Sequence, residues 1–367
     1  MENSAPTQAE FPEWDEEKPQ APKPRVVVAL SGGVDSSVTA ALLKEKGYGV
    51  KGVSLRMWPQ ASVVDAQRVA EVLEIPFEVL EVGASFRRQV IEPFIQAYKQ
   101  GETPNPCALC NRFLKFGILL EYARAQQAFL ATGHYARVVQ TQAGFCLQRA
   151  RSLSKDQSYF LFSLKEEQLR DILFPLGEFS KSRIRRLARG YGLPTASKPD
   201  SMEVCFVPKN YVDFLEKEGL HMPEGDIADE AGKVLGRHQG LHRFTIGQRR
   251  GLGNLGKPKP QYVVRLEAKQ NRVVVGEREA VFSRRFAIHS PSWVSGTPPL
   301  NQRLHIQIRH PHVGVKGELR EEGKGFVVEL EEAVAAISPG QAAVFYKEEN
   351  MLGGGWIKPF IPPLPPT

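Results

Sequence analysis

Residues 31–37 read SGGVDSS and have the composition of a phosphate-binding loop. They follow an apolar run at 26–30 and precede a stretch with helical periodicity. Adjacent glycines let backbone N–H groups approach an anion, and the first turn of the helix adds unpaired amides and the positive end of its dipole. The lysine of Gly-x-x-x-x-Gly-Lys-Ser/Thr is missing, which disfavours γ-phosphate transfer. The segment therefore predicts binding of a nucleotide phosphate; the alternative is a glycine-rich turn before a helix.

Three cysteines lie in proline-containing loops. Cys107 and Cys110 form a C-x-x-C pair within TPNPCALCN, immediately before a predicted helix that contains Lys115. A helix N-terminus and a nearby cation stabilise a thiolate, so we expect a lowered pKa and a nucleophilic sulfur here. Cys205 follows a second proline-led loop almost a hundred residues later.

Composition limits the class of protein. The chain has 367 residues and a formal charge of +7, and because residues 1–24 carry −4, the remainder carries +11. Such a surplus favours polyanions, although many basic proteins bind none. Four cysteines are too few for a disulfide scaffold, and Cys146 in a predicted strand is expected to be packing. We find no apolar run of eighteen residues and no secretory signal, so we expect a cytoplasmic protein.

The order of predicted elements separates two architectures. Apolar runs alternate with helical stretches from residue 25 to about 150, which predicts a parallel α/β sheet. A kink is expected at Pro93, and two further helices are predicted at 165–173 and 180–190, the second rich in Lys and Arg. Beyond residue 233, short alternating strands and turns predict an all-β region that ends in a small barrel or sandwich.

Five motifs together resemble bacterial tRNA-specific 2-thiouridylases, a family of the ATP pyrophosphatase (PP-loop) superfamily, whose members split ATP into AMP and pyrophosphate. The motifs are SGGVDSS, TPNPCALCN, ATGHYAR at 131–137, KDQSYFL at 155–161 and the loop around Cys205. Many ATP pyrophosphatases share the first motif, whereas the spacing of the later ones is peculiar to this family. The likeness extends from residue 25 to at least residue 341.

This resemblance implies an α/β fold class. The expected architecture is a parallel-sheet ATP pyrophosphatase domain (adenine nucleotide alpha hydrolase-like), a small central domain and a C-terminal β-barrel. The implied boundaries are a disordered tail at 1–24, the catalytic domain at 25–208, the central domain at 209–278 and the barrel at 279–360.

The resemblance also implies a reaction. ATP with Mg²⁺ would adenylate the 2-carbonyl oxygen of the wobble uridine, position 34, and sulfur would displace AMP. Cys110 would be the nucleophile, and Cys205 would carry the incoming persulfide, so the two would form a disulfide as the thiocarbonyl is released. Asp35 is expected to hold Mg²⁺ or, alternatively, to interact with the helix dipole. The implied ATP-site residues are Ala29, Leu30, Ser31, Gly32, Gly33, Val34, Asp35, Ser36, Met57 and Gly133.

The chain departs from part of the family at Cys107. Some members have an aspartate there with a role as acid or base, and that role is open in this chain. With Cys107 present, three sulfur ligands are available, so Cys107, Cys110 and Cys205 could together hold an iron–sulfur cluster. We expect persulfide chemistry and keep the cluster as the alternative.

Recognition of tRNA is expected around the same loops. Chemistry at the uracil 2-position requires a base that is flipped out of its stack. Family likeness places the contacts at Asn105, Pro106, Cys107, His134, Lys155, Asp156, Gln157, Arg309, His310 and Gln341. His134 is alternatively a structural histidine. In the barrel, Arg303, His305, Gln307 and Arg309 are predicted to form one polar row that faces solvent.

The implied partners are tRNAs for Lys, Glu and Gln and a protein that donates persulfide sulfur, either a cysteine desulfurase or a relay protein. No membrane partner is expected. One rival function is another PP-loop ATP-dependent ligase, which needs no paired cysteines. A second rival is a tRNA-binding protein without activity, against which the intact loop and cysteines argue.

Overall fold

A computed structural model describes residues 24–58, 61–199, 204–207, 210–311 and 314–359. Apart from residue 24, the predicted disordered tail lies outside these ranges. Within them, no helix combines the length and the apolar character needed to cross a membrane.

The first domain contains a parallel sheet with strand order β3-β2-β1-β4-β7. The strands of this sheet are β1 (Arg25–Ala29), β2 (Gly49–Arg56), β3 (Phe77–Glu81), β4 (Ala128–Ala131) and β7 (Ile172–Leu173). Between β4 and β7, the strands β5 (Ala136–Thr141) and β6 (Gly144–Arg149) form a hairpin outside the sheet. Its α-helices are α1 (Val34–Glu45), α2 (Val64–Val72), α3 (Gly83–Phe86), α4 (Glu92–Lys99), α5 (Pro106–Cys110), α6 (Leu120–Ala125), α7 (Glu166–Leu169) and α8 (Lys181–Gly190). The segments Arg87–Ile91 and Asn111–Leu119 are π-helical, and Leu153–Lys155 and Ser158–Leu161 are 3-10 turns.

β1 shows why this sequence forms a buried parallel strand. Val26 and Val28 point into one apolar core, and Val27 points into the other, on the opposite face of the sheet. A strand covered on both faces needs apolar residues at every position, which matches its RVVVA sequence. β2 and β3 lie on one side of β1, whereas β4 and β7 lie on its other side. The strand order therefore switches between β1 and β4, and a crevice forms at the carboxyl ends of these two strands.

Three details differ from the sequence prediction. The helix predicted at 165–173 is wrong in its second half, since Ile172 and Leu173 form β7 and pair with β4. The single long helix predicted around Pro93 is divided into a π-helical segment, Arg87–Ile91, and α4, and the kink at Pro93 stays a prediction. The β5–β6 hairpin pairs with a strand of the C-terminal barrel instead of extending the parallel sheet.

The central and C-terminal regions are largely β-structure, as predicted. The central elements are α9 (Tyr211–Lys217), β8 (Gly225–Asp229), β9 (Val234–His238), β10 (Tyr262–Glu267) and β11 (Arg272–Gly276), with strand order β10-β11-β8-β9. The barrel strands are β12 (Phe282–Trp293), β13 (Leu304–Gln307), β14 (Val315–Glu322), β15 (Gly325–Ala335), β16 (Ala342–Lys347) and β17 (Asn350–Ile357). They run in the order β12-β15-β14-β13-β16-β17, and pairing of β12 with β17 closes the barrel. The predicted domain boundaries stay predictions.

The barrel is continuous with the catalytic domain. One apolar core combines residues of the parallel sheet, such as Val27 and Leu130, with barrel residues such as Val344 and Tyr346. The β6 strand extends this contact by pairing with β17. The barrel therefore packs against one face of the parallel sheet.

Candidate active site

The glycine- and serine-rich loop connects β1 to α1. Gly33 occupies the N-cap position of α1 and has no side chain with which to cap the helix. The Ser31 backbone N–H donates to Ser36 Oγ at 3.2 Å, and Ser36 Oγ donates to the Gly33 carbonyl at 3.0 Å. These bonds fold the loop over the first turn of α1, whose amides are the unpaired donors expected of a phosphate site.

Glycines allow three backbone segments to meet at this loop. Gly32 has φ of +71°, and a Cβ there would lie 2.9 Å from Asp65 Cβ. A Cβ on Gly133, beyond the end of β4, would lie 2.8 Å from the Ser36 nitrogen. Met57 follows β2 at the same edge of the sheet. The predicted ATP-site residues are thus brought together at the carboxyl ends of β1, β2 and β4.

Asp35 lies in the first turn of α1 and is already held by two donors. Tyr135 Oη donates to Asp35 Oδ1 at 2.7 Å, and Lys181 Nζ lies 2.8 and 2.7 Å from the two carboxylate oxygens. Both partners come from segments more than ninety residues away in sequence. Asp35 therefore anchors Tyr135 and Lys181 beside the phosphate loop.

The cysteine loop is shaped by a helix start. Asn105 caps α5 by accepting a hydrogen bond from the Ala108 N–H at 3.2 Å, and Pro106 occupies the first turn. Cys110 ends α5 and is buried, whereas solvent reaches Cys107. Among the described residues, the buried Asn105 side-chain nitrogen makes no hydrogen bond of normal geometry, and its interaction with the Tyr159 hydroxyl is a weak one. The loop therefore presents a thiol and an incompletely satisfied amide donor.

A π-helix places Lys115 near Cys110. Residues five apart lie about 140° apart around an α-helix axis, but the i to i+5 bonds of a π-helix bring them close to one line. The π-helical segment Asn111–Leu119 starts directly after Cys110, and Lys115 is five residues further on. π-Helices are rare and occur frequently at functional sites.

Cys205 shares its electrostatic surroundings with the other two thiols. The neighbouring Phe206 packs against the apolar cluster that contains Cys110 and contacts Phe86 edge-to-face at 5.5 Å. Burial is the main cause that raises the pKa of Cys205; charge on Cys110 and Cys107 raises it further and the Lys115 ammonium lowers it, so these groups lie within electrostatic range of Cys205. The structure therefore brings together the three cysteines that the sequence places in distant loops.

The lowering of the pKa predicted for Cys107 and Cys110 is wrong. Burial raises the pKa of Cys107, Cys110 and Cys205, and that of Cys205 rises to about 11. Lys115 opposes the rise at each thiol but does not overcome desolvation. Solvent reaches Cys107 and Cys205, yet protein atoms also surround their sulfur atoms. A C-x-x-C pattern does not indicate how far a thiol is desolvated.

His134 is tightly held between polar and aromatic groups. Lys115 Nζ lies 3.5 Å from His134 Nε2, and Thr132 Oγ1 lies 2.7 Å from Nδ1. An ammonium only donates, so Nε2 accepts and Nδ1 carries the proton that is donated to Thr132. Burial, with a smaller effect of Lys115, holds the His134 pKa well below its usual value. The imidazole is therefore neutral at physiological pH.

The barrel contacts the cysteine loop through Gln341. Its side-chain nitrogen donates to the carbonyl oxygens of Thr103 and Pro104, at 3.0 and 3.1 Å. Tyr159 Oη lies 3.3 Å from Gln341 Oε1. Arg309 and Gln341 line one cavity of about 280 Å³ together with Thr103. Two of the predicted tRNA contacts in the barrel thus lie at the cysteine loop.

The other predicted tRNA contacts differ in accessibility. Asp156 is buried and accepts hydrogen bonds from Arg149, from the Ala150 N–H and from the Ser158 hydroxyl. Lys155 and Gln157 are half-buried, and His310 is exposed with its ring 4.8 Å from that of Phe160. Direct contact of these residues with tRNA stays a prediction.

The polar row predicted on the barrel strand is wrong at one position. Gln307 is buried and accepts a hydrogen bond from Arg149 Nη1 at 3.1 Å. Cys146 lies in β6, as predicted, and its thiol contacts the Val139 carbonyl at 3.5 Å. All four cysteines are free thiols, so the predicted disulfide stays a prediction.

Comparison with known proteins decides the family. Three family models match in succession, described as "tRNA methyl transferase HUP domain" at 24–209, "tRNA methyl transferase PRC-barrel domain" at 212–277 and "Aminomethyltransferase beta-barrel domain" at 283–357. The "tRNA-specific 2-thiouridylase MnmA" of Trichlorobacter lovleyi is 44% identical over 346 residues, 91% of this chain and 97% of the relative. Those of Acidithiobacillus ferrooxidans, at 41% over 91% and 98%, and Anaplasma marginale, at 42% over 90% and 90%, carry the same name.

The chain belongs to the tRNA-specific 2-thiouridylase family. Solved structures give a much weaker likeness. A 4-thiouridine synthetase in an RNA complex with bound ATP is 18% identical over 53% of this chain and 50% of that chain, with a TM-score of 0.32. NMN synthetase from Francisella tularensis is 19% identical over 49% and 67%, also with a TM-score of 0.32. Values this low carry no conclusion.

This member of the thiouridylase family also uses residues that motif reasoning missed. Tyr135 and Tyr159 stand inside the quoted motifs, but their hydroxyl groups hold Asp35 and the barrel. Lys181 belongs to the helix predicted at 180–190 from its many Lys and Arg residues, and Lys198 begins the loop that contains Cys205. Their pairing with the phosphate loop depends on tertiary contacts and leaves no local sequence signal.

Proposed function

We propose that this chain is a tRNA-uridine 2-sulfurtransferase that uses ATP to thiolate the wobble uridine, position 34. The observation that carries the proposal is the convergence of a phosphate loop and three coupled thiols in a member of this family. The matching family models have methyl transfer in their names. A phosphate cradle and a thiol cluster instead suit adenylation followed by sulfur transfer, in agreement with the names of the relatives.

The first step is adenylation of the base. The uracil 2-oxygen attacks the α-phosphorus of ATP, the bond to the bridging oxygen breaks, and pyrophosphate leaves with the electron pair. The amides at the start of α1 stabilise the phosphates. The product carries AMP on carbon 2, which makes that carbon electrophilic.

Sulfur transfer uses two cysteines. The terminal sulfur of a persulfide on Cys205 attacks carbon 2, and AMP leaves. The Cys110 thiolate then attacks Cys205 Sγ, so the persulfide S–S bond breaks, 2-thiouridine is released and a Cys110–Cys205 disulfide forms. A thiol reductant must reduce this disulfide before the next turnover.

The raised thiol pKa values fit a site in which the cysteines become reactive only after the substrate has bound. Cys110 is protonated at neutral pH, so little thiolate is present before tRNA binds. The Lys115 ammonium is the group that favours the thiolate, and the neutral imidazole of His134 beside it adds no second positive charge. We assign Lys115 the role of stabilising the attacking sulfur.

Asn105 supports recognition of the flipped base. Its buried side-chain nitrogen makes only a weak interaction with the Tyr159 hydroxyl and no hydrogen bond of normal geometry in the described residues, which is costly unless a better acceptor arrives. A uracil carbonyl oxygen is such an acceptor. The remaining contacts of the proposal are with Pro106, Cys107, His134, Lys155, Gln157, Arg309, His310 and Gln341, whereas the buried Asp156 is given a structural role.

The metal expectations fit this site poorly. Among the described residues, no three His, Cys, Asp or Glu side chains are arranged to hold a metal ion, and the three cysteines are described. The iron–sulfur alternative is therefore not favoured. Both oxygens of Asp35 are occupied by Lys181 and Tyr135, so this carboxylate is not free to hold a magnesium ion in the arrangement described. Mg²⁺ that accompanies ATP would be held by phosphate oxygens and water.

The proposal includes partners that follow from the chemistry. A persulfide-donating protein, either a cysteine desulfurase or a relay protein, must load Cys205, and tRNAs for Lys, Glu and Gln are the proposed substrates. The reaction would take place in the cytoplasm.

Paired substitutions test the proposal. Cys110→Ala and Cys205→Ala should each abolish 2-thiouridine formation, whereas Cys146→Ala should retain it because that thiol lies in the β5–β6 hairpin. The assay counts 2-thiouridine in digested tRNA, alongside tRNA-dependent release of pyrophosphate. The cysteine variants should still release pyrophosphate in a first turnover. Full thiolation by either variant would reject the sulfur relay, and absence of nucleotide cleavage by the unmodified chain would favour a binding protein.

A further inference from the structure

The phosphate loop contains no cation of its own. Its seven residues include one acidic side chain, Asp35, and no lysine or arginine. The departing pyrophosphate carries several negative charges, and backbone amides supply only partial positive charge. The structure places two lysines at this loop, Lys181 and Lys198, from positions more than 140 residues further along the chain.

Lys181 is the first residue of α8. Ser180 caps the helix, and the Lys181 side chain turns toward α1, where it contacts both oxygens of Asp35. The Tyr135 ring lies 5.8 Å from the ammonium, and its hydroxyl donates to the same carboxylate. Only 14% of the Lys181 side chain is exposed. This lysine is therefore fixed beside the first turn of α1.

Lys198 contacts the loop at Gly32, whereas Lys181 contacts it at Asp35. The Lys198 ammonium donates to the Gly32 carbonyl at 3.0 Å and to Asp65 Oδ2 at 2.7 Å. The surrounding segment is tied down, because Thr195 Oγ1 donates to Ser37 Oγ and Arg185 donates to the Lys198 carbonyl. Lys198 thus contacts the glycine whose left-handed conformation shapes the loop.

We propose that Lys181 and Lys198 bind the pyrophosphate that leaves ATP, in place of the lysine that the loop lacks. Ion pairs as exposed as Lys198–Asp65 are weak, so a polyphosphate can take over such an ammonium at little cost. When the bond between the α-phosphorus and the bridging oxygen breaks, the electron pair stays on pyrophosphate, and the two ammonium groups held at the loop stabilise that charge. This assignment deepens the proposed function and rests on its adenylation step.

The test is titration calorimetry of inorganic pyrophosphate, and separately of AMP, into the full-length chain. Lys181→Gln and Lys198→Gln should each weaken pyrophosphate binding about tenfold or more, as expected for loss of one charge-assisted hydrogen bond. AMP binding should change less than twofold. The matched control is Lys44→Gln, at the far end of α1, which should leave both affinities unchanged. Lys181→Arg, which keeps the charge, should retain most of the pyrophosphate affinity.

Two results would overturn the assignment. Pyrophosphate affinity equal to that of the unmodified chain in both glutamine variants would show that the lysines serve only as ion-pair partners. An equal loss of AMP and pyrophosphate affinity would show general damage to the loop. Binding is measured without tRNA or sulfur, so a chain that binds pyrophosphate through these lysines but forms no 2-thiouridine would fail the proposed function alone.

Discussion

Replacement of Asp156 separates a structural role from a contact with tRNA. The Asp156 side chain is 4% exposed and lies 2.9 Å from the guanidinium of Arg149, which is 13% exposed. It also accepts from two backbone N–H groups, those of Ala150 and Ser158. Removal of one partner from such a buried ion pair costs about 3–5 kcal/mol, because the other charge remains buried. Asp156→Ala should therefore destabilise the chain by about that amount.

The expected effect is large enough to measure directly. At roughly 2–4 °C per kcal/mol for a domain of this size, the unfolding temperature should fall by about 6–20 °C. Circular dichroism melts of Asp156→Ala, Asp156→Asn and Lys155→Gln provide the comparison, with tRNA affinity measured in parallel by filter binding below the transition. Asp156→Asn keeps the shape and one acceptor oxygen, so its loss should be smaller, and Lys155→Gln should weaken tRNA binding without a thermal effect. An Asp156→Ala variant that melts within 2 °C of the unmodified chain while losing tRNA affinity would refute this reasoning.

Three further outcomes are expected. Gly133→Ala should lower affinity for a non-hydrolysable ATP analogue at least tenfold, because the new Cβ would lie 2.8 Å from the Ser36 backbone nitrogen; unchanged affinity by calorimetry would contradict this. Gln341→Ala removes two hydrogen bonds to the cysteine loop, about 1–3 kcal/mol in total, and should reduce kcat for thiolation about tenfold with unchanged ATP affinity. Since a neutral thiol reacts only after losing its proton, the raised pKa of Cys205, about 11, should keep its iodoacetamide alkylation rising between pH 8 and 10; a plateau below pH 9 by peptide mass spectrometry would exclude it.

Local patterns predicted the elements that carry the phosphate loop. The run of valines in β1 and the helical periodicity of α1 are properties of adjacent residues, so the strand, the turn and the helix follow from sequence. Ile172 and Leu173 show where local patterns fail to predict the secondary structure. Their helical pattern is overridden because β4 offers hydrogen-bond partners at the edge of the sheet.

Burial was the main quantity that sequence reasoning could not supply. Gln307 alternates with apolar residues and was therefore predicted to face solvent, yet it is buried because Arg149 requires an acceptor. The thiols of Cys107 and Cys110 stand at a helix start beside a cation, which predicts a low pKa, but desolvation dominates. Both errors have the same cause, since the surroundings of these side chains come from distant segments.

The position of Gln341 argues that the barrel is part of the catalytic apparatus. Gly340 approaches the cysteine loop so closely that a Cβ there would lie 2.9 Å from the Thr103 carbonyl, and Gln341 donates to that same carbonyl. Tyr159, which belongs to the KDQSYFL motif of the catalytic domain, also contacts the barrel, because its hydroxyl donates to the Ala342 carbonyl. A tRNA that engages Gln341 would compete for the hydrogen bonds that hold the start of the cysteine loop. If the predicted contact of tRNA with Gln341 forms, binding at the barrel and the placement of Cys107 and Cys110 would be coupled through this one amide side chain.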